Sequence, residues 1–156
     1  MNLKDCHNFE DFRKLAKKKL PSPIFHYIDG GSDDEVTLNR NTEAFNDYDL
    51  IPNILNDVSN VDMSTTVLGQ KIDFPLFPSA TAMHRLYHHE GERASAIAVE
   101  KMGTIFGTST MGTVSIEEIG EISKGPKLFQ LYIHKDRGLT DNLMERCKKA
   151  GFHSMC

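Results

Sequence analysis

The chain has 156 residues, 39% hydrophobic and 26% charged, with a net charge of −4 and a pI near 5.9. This composition suits one folded domain of common size and excludes a disordered chain. The acidic balance leaves no basic footprint for nucleic acid, and no apolar run approaches the ~18 residues of a membrane span.

The opening MNLKDCHNFEDF is polar and lacks an apolar signal-peptide core, so a cytoplasmic protein is expected. Cys6, Cys147 and Cys156 form no CxxC pair, which points to reduced thiols. Asn8 ahead of FEDFRKLAKKKL predicts a capped helix that stops at Pro21, with Phe9, Phe12, Leu15 and Leu20 as its buried stripe. The basic cluster Arg13, Lys14, Lys17, Lys18 and Lys19 reads as a solvated face; contact with anionic lipid is the alternative. A second helix is predicted to open after Pro23 and to close at Gly30 and Gly31. Ser32, with Glu35 three residues on, makes a capping-box pattern for a third helix through TLNRNTEAF.

From Ile51 the pattern changes. MSTTVLGQKIDFP is rich in β-branched residues and predicts a hairpin around Gly69. Strand–helix alternation follows. LFPSAT is strand-like, GERASAIAVEKMG is a helix closed by Gly103, and TIFGTST is a short strand. SIEEIGEI is a helix, KLFQLYI a strand, and TDNLMERCKKAG a helix closed by Gly151. HSMC then begins another strand. Such alternation implies a parallel sheet with right-handed crossovers. Three complete strands cannot close a barrel of eight, so we expect the N-terminal part of a longer chain.

The polar positions carry the chemistry. GxGxxG and GxxxxGK[ST] are absent, and GTSTMGT (residues 107–113) reads as a loop with exposed hydroxyls. His84 and His88 have a spacing that binds metal on a helix. The run HHEGE instead reads as a loop entering a helix, which favours solvated or loop-positioning histidines, and no metal site is expected. Cys147 and Met144 read as packing residues. In residues 127–134, Phe129, Leu131 and Ile133 alternate with Gln130, Tyr132 and His134. On a strand Gln130 and Tyr132 share a face. They are either a satisfied polar pair in a core or a ligand-reading pair, since an amide can address a heterocycle edge and a phenol a carboxylate.

Several stretches together resemble one family. FHYIDGGSDDEVTLNRNTEAF, IPNILNDVSNVDMSTTVLGQKIDFPLFPSATAM, EGERASAIAVEKMGT, SIEEI and FQLYIHKDRG follow, in order, the pattern of the FMN-dependent L-2-hydroxy acid dehydrogenases and oxidases. The resemblance runs from about Lys14 to the end of the chain. It implies an α/β fold: the N-terminal portion of a (β/α)8 TIM barrel, with a helical N-terminal region (1–61), then a hairpin, about three βα units and the start of strand four (62–156). On it, SATAM ends barrel strand one.

The resemblance implies FMN as cofactor. Gln130 matches a glutamine bonded to the flavin ring, Ser109 a serine bonded to FMN, and Thr81 and Ala82 a pair whose backbone lies along the ring. Tyr27 and Tyr132 match tyrosines that bind the substrate. His134 has no assigned role, and Met111 falls where glycolate-oxidising members carry a bulky aromatic. The family's proton-abstracting histidine, carboxylate-binding arginine and flavin-facing lysine match no position here. The expected activity of the complete protein is oxidation of an L-2-hydroxy acid, lactate foremost, to the 2-oxo acid. Electrons would pass to a quinone, cytochrome or oxygen. Homo-oligomers and peripheral contact with the inner face of the cell membrane are further implications. The alternative is a truncated, non-catalytic remnant or interaction module, and these residues alone are expected to be inactive.

Overall fold

The computed structural model describes residues 2–156. The chain forms two compact units, the first ending at Val58 and the second spanning Ser59–Cys156.

The first unit is helical. Helix α1 (Phe9–Lys19) begins where Asn8 accepts a hydrogen bond from the Asp11 N–H at 3.0 Å. That cap satisfies an amide left without an intrahelical partner. Helix α2 (Ser22–Asp29) starts one residue before Pro23, which sits in the first turn, where its missing N–H is not needed. The two helices are joined by a fork: Arg13 donates to both Asp29 oxygens, at 2.5 and 2.8 Å. The Lys17 ammonium lies 5.7 Å from the Phe25 ring centre.

The predicted α1 stripe is corrected. Leu15 is buried, Leu20 is half-buried, and Phe9 is 84% exposed with Phe12 also outside. Helix α2 meets the middle of α1, through Arg13 and Lys17, and leaves the first-turn Phe9 outside that contact. The Ser32 capping box is also absent. Asp33 (φ 50) and Glu35 (φ 57) are left-handed, so helix α3 (Val36–Glu43) starts only after them. The Glu35 carboxylate turns back to accept from the Gly31 N–H at 3.0 Å.

The second unit opens with the hairpin β1 (Thr65–Val67) and β2 (Gln70–Ile72), paired antiparallel with Val67 opposite Gln70. Leu68 (φ 51) and Gly69 (φ 74) form its turn. Two successive left-handed residues match the twist of the strands they join.

Residues 76–81, predicted as a strand, carry no ladder among the described residues. Pro75 and Pro78 lack the donors a ladder needs. The segment still runs beside the next strand and is tied at both ends. Near its start, the Asp73 N–H donates to the Gly103 carbonyl (2.8 Å) and the Thr104 hydroxyl to the Leu76 carbonyl (2.8 Å). At its far end, the Met83 N–H donates to the Met111 carbonyl (3.1 Å).

Helix α4 (Glu92–Lys101), strand β3 (Phe106–Ser109), helix α5 (Ile116–Ile122), strand β4 (Lys127–Gln130), helix α6 (Arg137–Lys149) and strand β5 (Ser154–Met155) complete the unit. Ser115 caps α5 by accepting from the Glu118 N–H, and Asp136 caps α6 by accepting from the Gly138 N–H. The strands form a parallel sheet in the order β3-β4-β5. Its helix-facing side holds two apolar clusters. Phe106 packs with Ala96, Val99, Val114 and Ile119, and Phe129 with Ile116 and Cys147. Each buried phenylalanine contributes about 1.5–3 kcal/mol. These clusters place all three helices on one face, as in the first part of a (β/α)8 barrel.

The turn from α5 to β4 is clamped by opposite charges. Glu100 accepts from the Ser123 hydroxyl and, at 2.9 Å, from the Gly125 N–H. The buried Lys127 ammonium donates to the carbonyls of the same two residues, at 2.8 and 3.0 Å. Burial pulls the Lys127 pKa down from its ordinary value, despite the opposing field of Glu100.

Candidate functional site at the carboxyl ends of the strands

Side chains alternate along β3 and β4, so Phe106 and Thr108 face the helices while Gly107 and Ser109 face away. Residues paired in a parallel ladder point the same way. Gly107 stands beside Leu128, and Ser109 beside Gln130 at the final step of the register. The second face therefore ends in a hydroxyl next to an amide. Gly107 leaves room there for the backbone of residues 78–80: a Cβ on it would lie 3.0 Å from the Ala80 nitrogen and 3.2 Å from the Pro78 oxygen. The third tract, residues 81–83, arrives at the same edge through the Met83–Met111 bond.

Ladder pairing between β3 and β4 stops at this edge. Thr110 turns in and donates both its N–H and its hydroxyl to the Gln130 carbonyl, each at 2.9 Å. Its hydroxyl oxygen accepts from the Tyr132 N–H at 3.0 Å. The strand expected over residues 127–133 thus ends at Gln130, because a side chain replaces the neighbouring backbone. Leu131 stays in the core cluster, whereas Ile133 is exposed and the predicted alternation is lost.

Ser109 is buried, and its Oγ accepts from the Met111 N–H at 3.2 Å. Gln130 is half-buried, and its side-chain amide makes no hydrogen bond among the described residues. Thr81 is exposed, with its hydroxyl donated to the Ser79 carbonyl at 3.2 Å; Ala82 is half-buried. Tyr132 is 52% exposed. Tyr27 belongs to the first unit, on α2, and is 60% exposed. Neither phenol has a hydrogen-bond partner among the described residues. The structure thus gathers Ser109, Gln130, Tyr132 and the 81–83 tract at one edge of the second unit.

A flat heterocycle with N–H and carbonyl edges fits this chemistry. The free Gln130 amide offers both a donor and an acceptor, and the Ser109 hydroxyl retains its proton. Gly107, without a side chain, lets another backbone approach this face closely.

A buried carboxylate missed in the sequence lies behind the edge. Glu92, the first residue of α4, is fully buried. Its Oε1 accepts from the N–H groups of Thr113 (2.8 Å) and His84 (3.3 Å), and its Oε2 from the Thr113 hydroxyl (2.5 Å). Burial alone would raise its pKa. The hydrogen bonds from Thr113, from its own N–H and from His84 outweigh that and hold it below the ordinary value. The signal for it was an acidic residue in a first helical turn, where the helix dipole favours negative charge. His84 is fixed by Ser95, 3.3 Å from its Nδ1, while His88 and His89 are exposed. No group of three or more His, Cys, Asp or Glu able to hold a metal ion occurs among the described residues. Among the same residues no helix is long and apolar enough to cross a membrane.

Comparison with known proteins agrees with this architecture. Residues 16–156 match the family of FMN-dependent dehydrogenases. Glycolate oxidase 1 of Zea mays is 42% identical over 148 residues, 95% of this chain and 40% of its own length. The chain therefore spans less than half of such curated relatives. Among solved structures, the recombinant flavin-binding domain of baker's yeast flavocytochrome b2 superposes with a TM-score of 0.91 at 34% identity, over 99% of this chain and 41% of that one. A Pediococcus acidilactici protein assigned as a lactate oxidase gives 0.89 at 32%, over 97% and 42%. Sequence match, strand order and the one-sided helical layer agree: the chain belongs to the FMN-dependent dehydrogenase family, whose cofactor is FMN, and folds as the N-terminal portion of a (β/α)8 barrel.

Proposed function

We propose that the protein to which this chain contributes oxidises an L-2-hydroxy acid to the 2-oxo acid with FMN, and that L-lactate is its substrate. The observation that carries this reading is the side-by-side placement of Ser109 and Gln130, with an uncommitted amide, at the carboxyl ends of two parallel strands. Active sites of such barrels lie at that end.

In this reading, the Gln130 amide and the Ser109 hydroxyl hold the flavin ring through its polar edge. The backbone at Thr81 and Ala82 lies along the ring. By the family resemblance, Tyr27 donates a hydrogen bond to the substrate's carboxylate, and Tyr132 faces the hydroxy-acid head. When bound, FMN supplies the acceptor for the two electrons that leave with the substrate's C2 hydrogen. The proton on the substrate hydroxyl requires a base, and the family resemblance assigns it to a histidine that matches no residue of this chain. The electron acceptor in this reading is a quinone, cytochrome or oxygen. The protein is cytoplasmic and homo-oligomeric, with peripheral membrane contact where a quinone is the acceptor.

Support for lactate is the likeness to the Pediococcus protein; the 42% identity to a glycolate oxidase makes glycolate the competitor. The test is anaerobic mixing of the flavin-loaded full-length protein with L-lactate, glycolate or L-mandelate. Bleaching of the oxidised flavin band fastest with L-lactate is expected. No flavin band, or no bleaching with any of the three, would refute the reading.

A further inference from the structure

We propose that Glu92 is a positioning residue: its carboxylate sets the shape of the cofactor-facing edge by locking together the two loops that form it. This rests on the FMN reading above. Glu92 lies on the helix side of the sheet, and its role is exerted through Thr113 and His84.

Two loops meet at Glu92. One, residues 81–85, carries Thr81 and Ala82. The other, residues 110–113, follows Ser109. They are pinned to each other by two direct bonds: Met83 N–H to the Met111 carbonyl (3.1 Å) and Arg85 N–H to the Thr113 hydroxyl (3.2 Å). Glu92 grips both from behind, His84 through its N–H and Thr113 through its N–H and hydroxyl. A fully buried carboxylate requires such donors, because an unpaired charge there would be strongly destabilising. The loops supply three of them, so their relative position is tied to satisfying one charge.

The packing around this joint is close. A Cβ on Gly112 would lie 3.1 Å from Thr108 Oγ1, 3.0 Å from the Ser109 carbonyl and 3.6 Å from Glu92 Oε1. Among the described residues, Thr108 Oγ1 and His84 Nε2 are buried without hydrogen-bond partners. A neutral amide at position 92 accepts on one atom only, and cannot receive both the Thr113 hydroxyl and the two N–H groups as the carboxylate does.

The test uses the FMN-binding full-length protein, with Glu92→Gln, Thr113→Val, the double variant, and Thr113→Ser as the conservative rescue. The readouts are FMN affinity by fluorescence quenching, visible circular dichroism of the bound flavin, and melting temperature of the apoprotein. Glu92→Gln and Thr113→Val should each weaken FMN about tenfold, the equivalent of one charge-assisted hydrogen bond. The flavin dichroism should change, the double variant should be little worse than the weaker single variant, and Thr113→Ser should restore affinity. If Glu92→Gln does not fold, the Thr113 pair carries the same test. Unchanged affinity and dichroism, or a loss that merely follows a lowered melting temperature, would overturn the positioning role. A parent protein that binds no FMN would instead remove the functional reading and this inference with it.

Discussion

Ser109 and Gln130 stand side by side at the last register step between β3 and β4, and the Gln130 carbonyl is sealed by both donors of Thr110. The backbone of Gln130 is thus committed to the fold while its side-chain amide is not. This separation makes a clean substitution. Gln130→Leu should weaken FMN by about tenfold in the full-length protein, the loss of one or two hydrogen bonds. Its melting temperature should change little, since no internal bond is removed. Flavin fluorescence titration and a thermal melt check both halves.

The two tyrosines are exposed, and among the described residues neither phenol has a hydrogen-bond partner that would contribute to stability. Tyr27→Phe and Tyr132→Phe should each leave the melting temperature unchanged and lower kcat/KM for the hydroxy acid by about tenfold or more. A change in KM alone would indicate binding shared by ground and transition states. Steady-state kinetics on the full-length variants, with FMN saturating, distinguishes the two.

Gly107 is required by the backbone of residues 78–80, which passes where its Cβ would be. Backbone cannot swing aside as a flexible side chain can. Gly107→Val should therefore destabilise by about 2 kcal/mol through overpacking. It should also push the 81–83 tract outward and weaken FMN. A urea titration and a flavin titration on the same variant measure these two effects separately.

Acid should weaken the contact between α5 and α6. Arg146 donates to both oxygens of Glu117, at 2.6 and 2.8 Å, and holds its pKa down to about 2. The folded value lies below the ordinary 4.5, so this pair contributes its full stability above pH 4.5 and loses it as the pH falls toward 2. Both side chains are partly solvated, which keeps the effect small. Glu117→Gln should flatten that part of the stability profile, as read from urea midpoints across the same pH range.

Local chemistry made much of this structure legible in the sequence. Asn8 is a helix cap, Gly69 sits in the hairpin turn, and Gly103 and Gly151 close their helices with left-handed backbone, as residue type alone suggested. Failures arose where backbone or long-range partners decided the outcome. The Ser32 pattern was sound as a motif, but Asp33 and Glu35 are left-handed and move the helix start. LFPSAT, read as strand-like, forms no ladder among the described residues, because pairing depends on donors that Pro78 lacks. The alternation through residues 127–134 broke because Thr110, twenty residues back, takes the place of a strand. Ser109 and Gln130 are paired by the register of two strands legible in the sequence, whereas Glu92 was read with a loop of histidines. Its burial depends on donors from residue 113, which no local window contains.

The turn between α5 and β4 offers a last consequence. Lys124 is exposed there and followed by Gly125, so its peptide bond invites tryptic cleavage. A protease must draw that bond into an extended conformation, which needs local opening. Opening here would pull Ser123 and Gly125 away from a carboxylate on one side and an ammonium on the other, leaving the buried Lys127 without its two carbonyl acceptors. The bond after Lys124 should therefore survive until the whole unit unfolds, making resistance to digestion at this one position a gauge of global opening rather than of loop motion.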